Sequence, residues 1–165
     1  MKLRNPRNPD DVILWYLLLD RLPVLLALYK SLGTEKQKMV TFLSNDFKTD
    51  KWKQAAIKNA YVLLGKKDYI MSAAFFILGD SFKDAISVVV NSMGDIQLAI
   101  LMCRIKETIF SKKIEDKPIL KELILTNFIE KGKLIKDPWL ESIGYTMLGQ
   151  YVNSVNCFSA LDEAE

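Results

Sequence analysis

The chain has 165 residues, of which 50% are hydrophobic and 26% charged, and its formal net charge at pH 7 is +3. This length suits one domain with a sizeable core, and the hydrophobic fraction excludes a disordered chain. The sequence contains no histidine, which excludes a Ser-His-Asp triad, a Cys-His pair and imidazole zinc ligands.

The N-terminal residues 1–11 are polar and contain two prolines, which predicts a flexible entry segment. The Leu-rich stretch from Val12 to Tyr29 is the best candidate for a membrane span. Asp20 and Arg21 lie in its middle, and charges at the centre of a bilayer are costly. The pattern therefore predicts two short helices around a turn, with Pro23 in the first turn of the second.

Local signals predict where the next helices start. Asp10 or Asp11 can cap the first helix, and Thr34 with Gln37 has the spacing of a capping box for the third. A fourth helix is predicted to reach Leu64 and to carry one apolar stripe. The stripe consists of Trp52, Ala56, Ala60 and Leu63.

Helix ends marked by a glycine recur along the chain. They are Leu64-Gly65, Leu78-Gly79, Met93-Gly94 and Leu148-Gly149, and the first three glycines are 14 and 15 residues apart (65 to 79 and 79 to 94). A glycine in the left-handed conformation ends a helix and lets the next one reverse direction. Candidate N-caps follow at Asp68, Asp80 or Ser81, and Asp95. The spacing predicts antiparallel helical hairpins of about the size found in helical solenoids.

The C-terminal third continues the helical pattern after a charged linker at residues 111–117. Pro118 is predicted to start one helix that stops at Gly132. Asp137 and Pro138 start another, and the last helix ends near Leu161. The predicted fold class is therefore all-α, an α-solenoid of stacked antiparallel hairpins with about ten helices. Residues 12–165 are predicted to form a single fragment of that solenoid, cut from a longer chain.

Signals for chemistry are weak. The common phosphate-binding, dinucleotide-binding and hydrolase motifs are not found in the sequence, and no catalytic, cofactor-binding or metal-binding residue is predicted. Carboxylate pairs such as Asp10 with Asp11 lie at predicted helix ends, where capping is favoured over acid–base catalysis. Cys103 and Cys157 are predicted to be buried small hydrophobic residues in a reducing compartment.

Candidate partner-binding residues come from exposed positions. They are Lys48, Lys51, Lys53, Lys112, Lys113 and Trp139. The lysine cluster at 48–58 has Asp46 and Asp50 beside it, so a solvated helix face is favoured over a phosphate-binding patch. Trp139 follows a proline at the start of a helix, where an aromatic ring can be exposed for contact. Other aromatic residues at helical spacing are expected in the core rather than in a base-stacking platform: Trp15, Tyr16, Trp52, Tyr61, Phe75 and Phe76.

The mean hydropathy of +0.07 is high for a soluble helical domain of this size. Internal hairpins of a solenoid are covered on both sides, so a fragment exposes apolar end faces. We expect the excess of exposed apolar side chains to lie mainly on the helices between Val12 and Tyr29.

Several strings together resemble the C-terminal helical region of the large subunit of the RAVE complex, the DmX-like or rabconnectin alpha family. The similarity is dense from about Leu14 to Arg104 and thinner at Asp137-x-Trp139-Leu140. The strings include Leu14-Trp15-Tyr16-Leu17-Leu18-Leu19, Phe42-Leu43-Ser44-Asn45-Asp46-Phe47, Asn59-Ala60-Tyr61-Val62-Leu63-Leu64-Gly65-Lys66, Ala73-Ala74-Phe75-Phe76 and Gln97-Leu98-Ala99-Ile100.

The resemblance implies a fragment of a long chain that has β-propellers before its α-solenoid. The family acts in the reversible assembly of the vacuolar proton-pumping ATPase (V-ATPase), so the resemblance implies a non-catalytic scaffold segment. The implied partners are V-ATPase subunits and other RAVE subunits, including a Skp1-type adaptor. The implied location is cytoplasmic, peripheral to vacuolar and endosomal membranes.

Two other functions compete with this one. The segment could be a structural spacer that contacts no partner itself. It could also bind a membrane surface or nucleic acid through its lysines. The scattered lysines and the small net charge favour neither nucleic acid nor more than peripheral membrane association.

Overall fold

The computed structural model describes residues 8–108 and 118–159. The chain divides into two compact units, residues 1–106 and residues 107–165. Regular secondary structure in the described residues is entirely helical, which confirms the prediction of an all-α protein. Eleven α-helical segments there make ten continuous helices, because α8 and α9 are joined through a π-helical turn.

The described part of the first unit starts with a 3-10 turn at Pro9–Asp11. Its α-helices are α1 (Ile13–Leu18), α2 (Leu22–Ser31), α3 (Gln37–Leu43), α4 (Asp50–Gly65), α5 (Tyr69–Leu78), α6 (Phe82–Ser87) and α7 (Ile96–Thr108), the last two residues of which lie past the unit boundary at residue 106. A 3-10 turn (Gly33–Lys36) precedes α3, and a π-helical segment (Val88–Met93) continues α6. The predicted pair of short helices around a turn is thus confirmed as α1 and α2, with Pro23 in the first turn of α2.

Helix α5 is the central helix of the first unit, and it packs against α1, α4 and α6. Every residue from Ser72 to Leu78 is buried, as expected for a helix that is apolar on all sides. The stripe of α4 faces it through Ala56 and Ala60, which are both fully buried. The Ser72 hydroxyl donates a hydrogen bond to the Ala60 carbonyl at 2.9 Å. Two small residues therefore let α4 and α5 approach closely in an antiparallel hairpin.

Two of the predicted glycine caps are confirmed and two are wrong. Gly94 and Gly149 have φ values of 72° and 75° and lie in the left-handed region. At the other two helix ends, the left-handed residues are Lys67 and Asp80. Gly79 serves close packing instead, since an added Cβ would lie 2.6 Å from Ile57 Cγ1.

Of the predicted N-caps, those at Asp68 and Asp95 are confirmed, and the capping box at Thr34 and Gln37 is wrong. Asp68 accepts from the Met71 amide at 3.4 Å and Asp95 accepts from the Leu98 amide at 2.9 Å, which confirms both. The capping box at Thr34 and Gln37 is wrong, because Thr34 lies inside a 3-10 turn and α3 has no side-chain cap. A capping residue typically has a non-helical backbone directly before its helix, and the 3-10 turn occupies that place.

The aromatic residues expected in the core do not all lie there. Phe75 and Phe76 are buried, and Trp15, Tyr16 and Trp52 are half-buried. Tyr61 is 57% exposed, so its assignment to the core is wrong. It lies on the solvent side of α4, although the edge of its ring contacts Phe76 with centroids 5.0 Å apart.

A polar contact ties the start of the chain to α2 and to the turn before α3. The Tyr29 hydroxyl donates to Asp10 Oδ1 at 2.7 Å, and Lys36 pairs with Oδ2 of the same carboxylate. The Tyr29 side chain is fully buried, and this burial, with the neighbouring carboxylate, raises the pKa of Tyr29. The 3-10 turn itself is capped by Asn8, and the N-cap of α1 is Val12, which makes no side-chain cap.

We expect Tyr29→Phe to lower the free energy of unfolding by about 1 kcal/mol, the usual net contribution of one hydrogen bond. The difference from the wild type should narrow as the pH rises above about 10, the pKa of an unfolded tyrosine. Tyr29 of the unfolded wild type ionises there while Tyr29 of the folded wild type does not, so the wild type loses a part of its stability that the variant never had. Urea unfolding at several pH values measures both effects, and a difference that widens at high pH would contradict this account.

The second unit contains α8 (Pro118–Ile124), a π-helical turn (Leu125–Glu130), α9 (Lys131–Ile135), α10 (Pro138–Met147) and α11 (Tyr151–Asn156). Starts at Pro118 and at Asp137-Pro138 are confirmed, and Asp137 accepts from the amides of Trp139 and Leu140. The predicted stop at Gly132 is wrong: the helix continues to Ile135 and ends with left-handed Lys136.

Glycines in this unit allow close packing of antiparallel helices. A Cβ on Gly132 would lie 2.7 Å from the Glu141 nitrogen, and one on Gly144 would lie 2.6 Å from Ile129 Cγ1. Helix α10 therefore packs with its backbone close to α9 and to the π-helical turn.

Antiparallel hairpins are present in both units, at α4/α5, at α9/α10 and at α10/α11. A single solenoid over residues 12–165 stays a prediction. The entry segment up to residue 7 and the linker at residues 111–117 lie outside the described residues. The predicted end of the last helix near Leu161 is wrong, because α11 ends at Asn156.

Candidate functional site

The three lysines predicted on α4 and just before it have different surroundings. Lys53 Nζ lies 2.7 Å from Asp80 Oδ2, and this hydrogen bond raises the pKa of Lys53. Lys51 lies over the ring of Trp52, 5.4 Å from its centroid. Lys48 is exposed. Lys112 and Lys113, the other two predicted lysines, lie outside the described residues.

Lys48 and Lys53 line one open cleft of about 440 Å³ in the first unit, while Lys51 does not. The cleft also holds Lys106 and three carboxylates, those of Asp20, Asp46 and Asp80. Three positive and three negative side chains balance each other, and Lys53 is already paired. The cleft therefore lacks the excess positive charge that phosphate or anionic lipid would require.

Trp139 is exposed, as the sequence predicts. It is the second residue of α10, held there by the Asp137 cap and by Pro138 at the first position. The side chain is 70% exposed, and its ring contacts Phe158 with centroids 4.7 Å apart. An indole fixed at a capped helix start, with one side open to water, is typical of an interface residue.

Of the twelve large hydrophobic side chains that are exposed among the described residues, five belong to α10 and α11. We call this group the C-terminal face, and it is formed by α10 and α11. Its members and their exposed fractions are Trp139 (70%), Ile143 (48%), Tyr151 (67%), Val152 (74%) and Val155 (69%). Leu134 and Ile135 at the end of α9 are also exposed, by 83% and 55%.

Packing of α11 on α10 fixes this face. The Ser154 hydroxyl lies 2.8 Å from the hydroxyls of both Ser142 and Thr146, so the side of α11 that faces α10 is polar. Tyr151, Val152 and Val155 of α11 remain exposed beside this polar contact.

The expected position of the apolar surplus is wrong. Of the leucines between Val12 and Tyr29, Leu14, Leu17, Leu18 and Leu25 are buried. Only Leu19 and Val24 in that range are large hydrophobic residues with an exposed side chain. The leucines of α1 are buried because α5 packs against α1. The excess of exposed apolar side chains therefore lies on α9–α11 instead.

The spacing of apolar residues along α10 and α11 is compatible with the C-terminal face but does not by itself predict it. Trp139 with Ile143, and Tyr151 with Val155, are spaced four residues apart, so each pair shares a helix side. The same spacing also fits a core, and only the position of Ser154 shows which side of α11 is inside.

The two cysteines differ in environment. Cys103 is fully buried, which confirms the prediction for it. Cys157 is only half-buried, so the same prediction is wrong there. Its thiol donates to the Asn153 carbonyl at 3.2 Å, and burial raises its pKa, which leaves a weakly reactive thiol.

Two further properties concern residues 8–108 and 118–159. No group of three or more acidic or cysteine side chains in them could hold a metal ion. None of their helices combines the length and the apolarity needed to cross a bilayer.

These features define the class: an all-α protein built of helical hairpins, with an exposed apolar face on its last hairpin. The family model described as RAVE protein 1 C terminal matches residues 2–161, and the chain belongs to this family.

Similar proteins come from fungi and animals. The chain is 39% identical over 146 residues to "Regulator of V-ATPase in vacuolar membrane protein 1" of Saccharomyces cerevisiae, and the aligned region covers 87% of this chain. It is 38% identical over 148 residues to the protein of the same name from Schizosaccharomyces pombe. It is 36% identical over 151 residues to "DmX-like protein 1" of Mus musculus, again covering 87% of this chain. The chain spans 10% and 11% of the two fungal relatives and 5% of the mouse protein.

Proposed function

We propose that this chain is a non-catalytic scaffold segment of a V-ATPase assembly factor, and that it binds a protein partner through the C-terminal face. The observation that carries the proposal is the exposure of five large apolar side chains on the α10/α11 hairpin. Contiguous exposed apolar surface costs free energy in water, and it usually marks a site covered by another protein.

The composition of the face supports a protein partner. Trp and Tyr are enriched among the residues that contribute most to protein–protein binding, and both occur here. Trp139 is held by the Asp137 cap and the Phe158 ring, so little conformational entropy is lost when a partner binds. Val152 and Val155 extend the surface along α11.

The family supports the identity of the partner. Two relatives carry names that describe a regulator of V-ATPase in the vacuolar membrane. The proposed partners are V-ATPase subunits, or other RAVE subunits including a Skp1-type adaptor, and the proposed location is peripheral to vacuolar and endosomal membranes. Contact through Lys48, Lys51, Lys112 or Lys113 stays a prediction, and the pairing of Lys53 with Asp80 makes Lys53 the weakest of that set.

A pull-down with matched variants tests the proposal. The immobilised full chain is mixed with purified subunits of the catalytic sector and of the membrane sector. We expect Trp139→Glu with Val152→Glu to weaken binding by about tenfold or more. Each substitution would bury a carboxylate in an apolar contact. Leu19→Glu with Val24→Glu serves as the control, since both residues are exposed and apolar but lie on the first unit. Far-UV circular dichroism verifies that both variants fold.

Two outcomes would contradict the proposal. The folded wild-type chain could bind no subunit, or both double variants could bind as the wild type does. The first result would favour the spacer role, in which V-ATPase assembly in cells tolerates both surface variants and is lost only when the core is disrupted, as by Phe75→Asp. The second result would place the partner contact on another surface of the chain.

A further inference from the structure

A second apolar surface lies on the first unit, between α3 and α4. It is an open groove of about 280 Å³, which we call the α3–α4 groove. Its apolar lining comes from Met39, Phe42, Val62 and Leu63, with buried Phe75 beneath them. The volume is below the range of about 300–1,000 Å³ typical of small-molecule sites, so the groove suits protruding side chains better than a whole ligand.

Aromatic packing makes the base of the groove rigid. The rings of Phe42 and Phe75 are stacked with centroids 5.4 Å apart, and Phe42 also contacts Phe47 and Trp52. Val62 remains 56% exposed at the side of the groove. The surface is therefore preformed, and a partner would bury apolar area without first ordering the site.

Charge gives the groove its selectivity. Lys38 and Lys66 border it, both exposed, and its lining contains no carboxylate. Neither lysine has an ion-pair partner among the residues that the structure describes. The larger cleft in the same unit differs in this respect, because its lysines are balanced by aspartates.

From these observations we infer that the α3–α4 groove binds a protein segment with one or two large apolar side chains flanked by acidic residues. The apolar side chains enter the groove over Phe42, and the carboxylates pair with Lys38 and Lys66. An amphipathic helix with anchors three or four residues apart has the right geometry. A membrane surface fits less well, because the apolar residues lie in a depression whose edges carry the lysines. This contact is separate from the C-terminal face and goes beyond the proposed function.

Two labelled peptides test the inference by fluorescence anisotropy on the full chain. Both are about four helical turns long and carry Leu and Phe anchors on one side. One has Glu at the flanking positions and the other has Lys. We expect the acidic peptide to bind at least about fivefold more tightly at low salt, because two exposed ion pairs each contribute modestly. The preference should shrink as the salt rises from about 0.02 M to about 0.5 M, since screening shortens the range of the attraction.

Variants locate the binding to the groove. Lys38→Glu with Lys66→Glu is expected to reverse the preference, and Val62→Asp to abolish binding of the acidic peptide. The control, Lys30→Glu with Lys121→Glu, makes the same change in net charge outside the groove and should keep the preference. Trp139→Glu with Val152→Glu should also bind the acidic peptide normally, which separates this inference from the proposed function.

Several results would overturn the inference. These are no binding of either peptide, equal affinity for both, or the same loss in the control as in the groove variant. Sedimentation of the chain with phosphatidylserine-containing vesicles, abolished by Lys38→Glu with Lys66→Glu, would assign the groove to a membrane surface instead.

Discussion

Replacing Phe76 by alanine is expected to lower the free energy of unfolding by about 3–5 kcal/mol, the usual cost of removing a buried phenylalanine ring. Phe76 is 1% exposed and lies in the last turn of α5, the helix against which α1, α4 and α6 pack. Two effects contribute to this loss. The variant lacks the free energy gained by moving the ring out of water, and the shortened side chain leaves a cavity between the neighbouring helices. Domains of this size are stable by only about 5–15 kcal/mol, so the change is a large fraction of the total.

Tyr61→Ala is the matched control, since Tyr61 is the other ring of the same pair and is 57% exposed. We expect the free energy of unfolding to fall by no more than about 1.5 kcal/mol. This is the upper value for the contact between two aromatic rings, counted in addition to the area that they bury. Denaturant unfolding followed by circular dichroism measures both. Equal losses in the two variants would show that α5 is not the centre of the packed unit.

The second large effect is expected at Gly132, where alanine should lower the free energy of unfolding by about 2–3 kcal/mol, towards the upper range for overpacking. Two effects compete there. Alanine favours a helix over glycine by about 1 kcal/mol, but its Cβ would lie 2.7 Å from the Glu141 nitrogen and 3.0 Å from Glu141 Cα. These are backbone atoms that no rotamer change can move, so α9 and α10 must separate and the clash outweighs the helix preference.

Gly65→Ala separates the two effects. Gly65 is the last residue of α4, a Cβ there meets nothing within 4 Å, and its φ is not positive. We expect this variant to be more stable than the wild type by about 0.5–1 kcal/mol, because alanine reduces the freedom of the unfolded chain. If Gly132→Ala were as stable as the wild type, the close approach of α9 and α10 would be disproved.

The helix starts show which features can be predicted from sequence. The Asp95 and Asp137 caps were predicted correctly because each depends on an amide three residues away or nearer. Pro118 and Pro138 start helices for an equally local reason, the fixed φ of proline. The capping box at Thr34 failed although its pattern is also local, because the backbone took a 3-10 turn there.

The candidate surfaces show what is harder to predict. Trp139 was identified from its place after a proline, but the rest of the C-terminal face was not. The α3–α4 groove depends on side chains from three helices that meet only in the folded unit.

The sequence by itself determined that this protein is all-α, where most of its helices begin, and to which family it belongs. These properties depend on residue composition, on spacing along a helix and on strings of adjacent residues. Tertiary structure alone decided that Gly79 and Gly132 are packing glycines and that the leucines of α1 are buried while Val152 and Val155 are exposed. The physical reason is that burial depends on which helix covers which side, and two helices with the same apolar pattern can be inside or outside according to their neighbours.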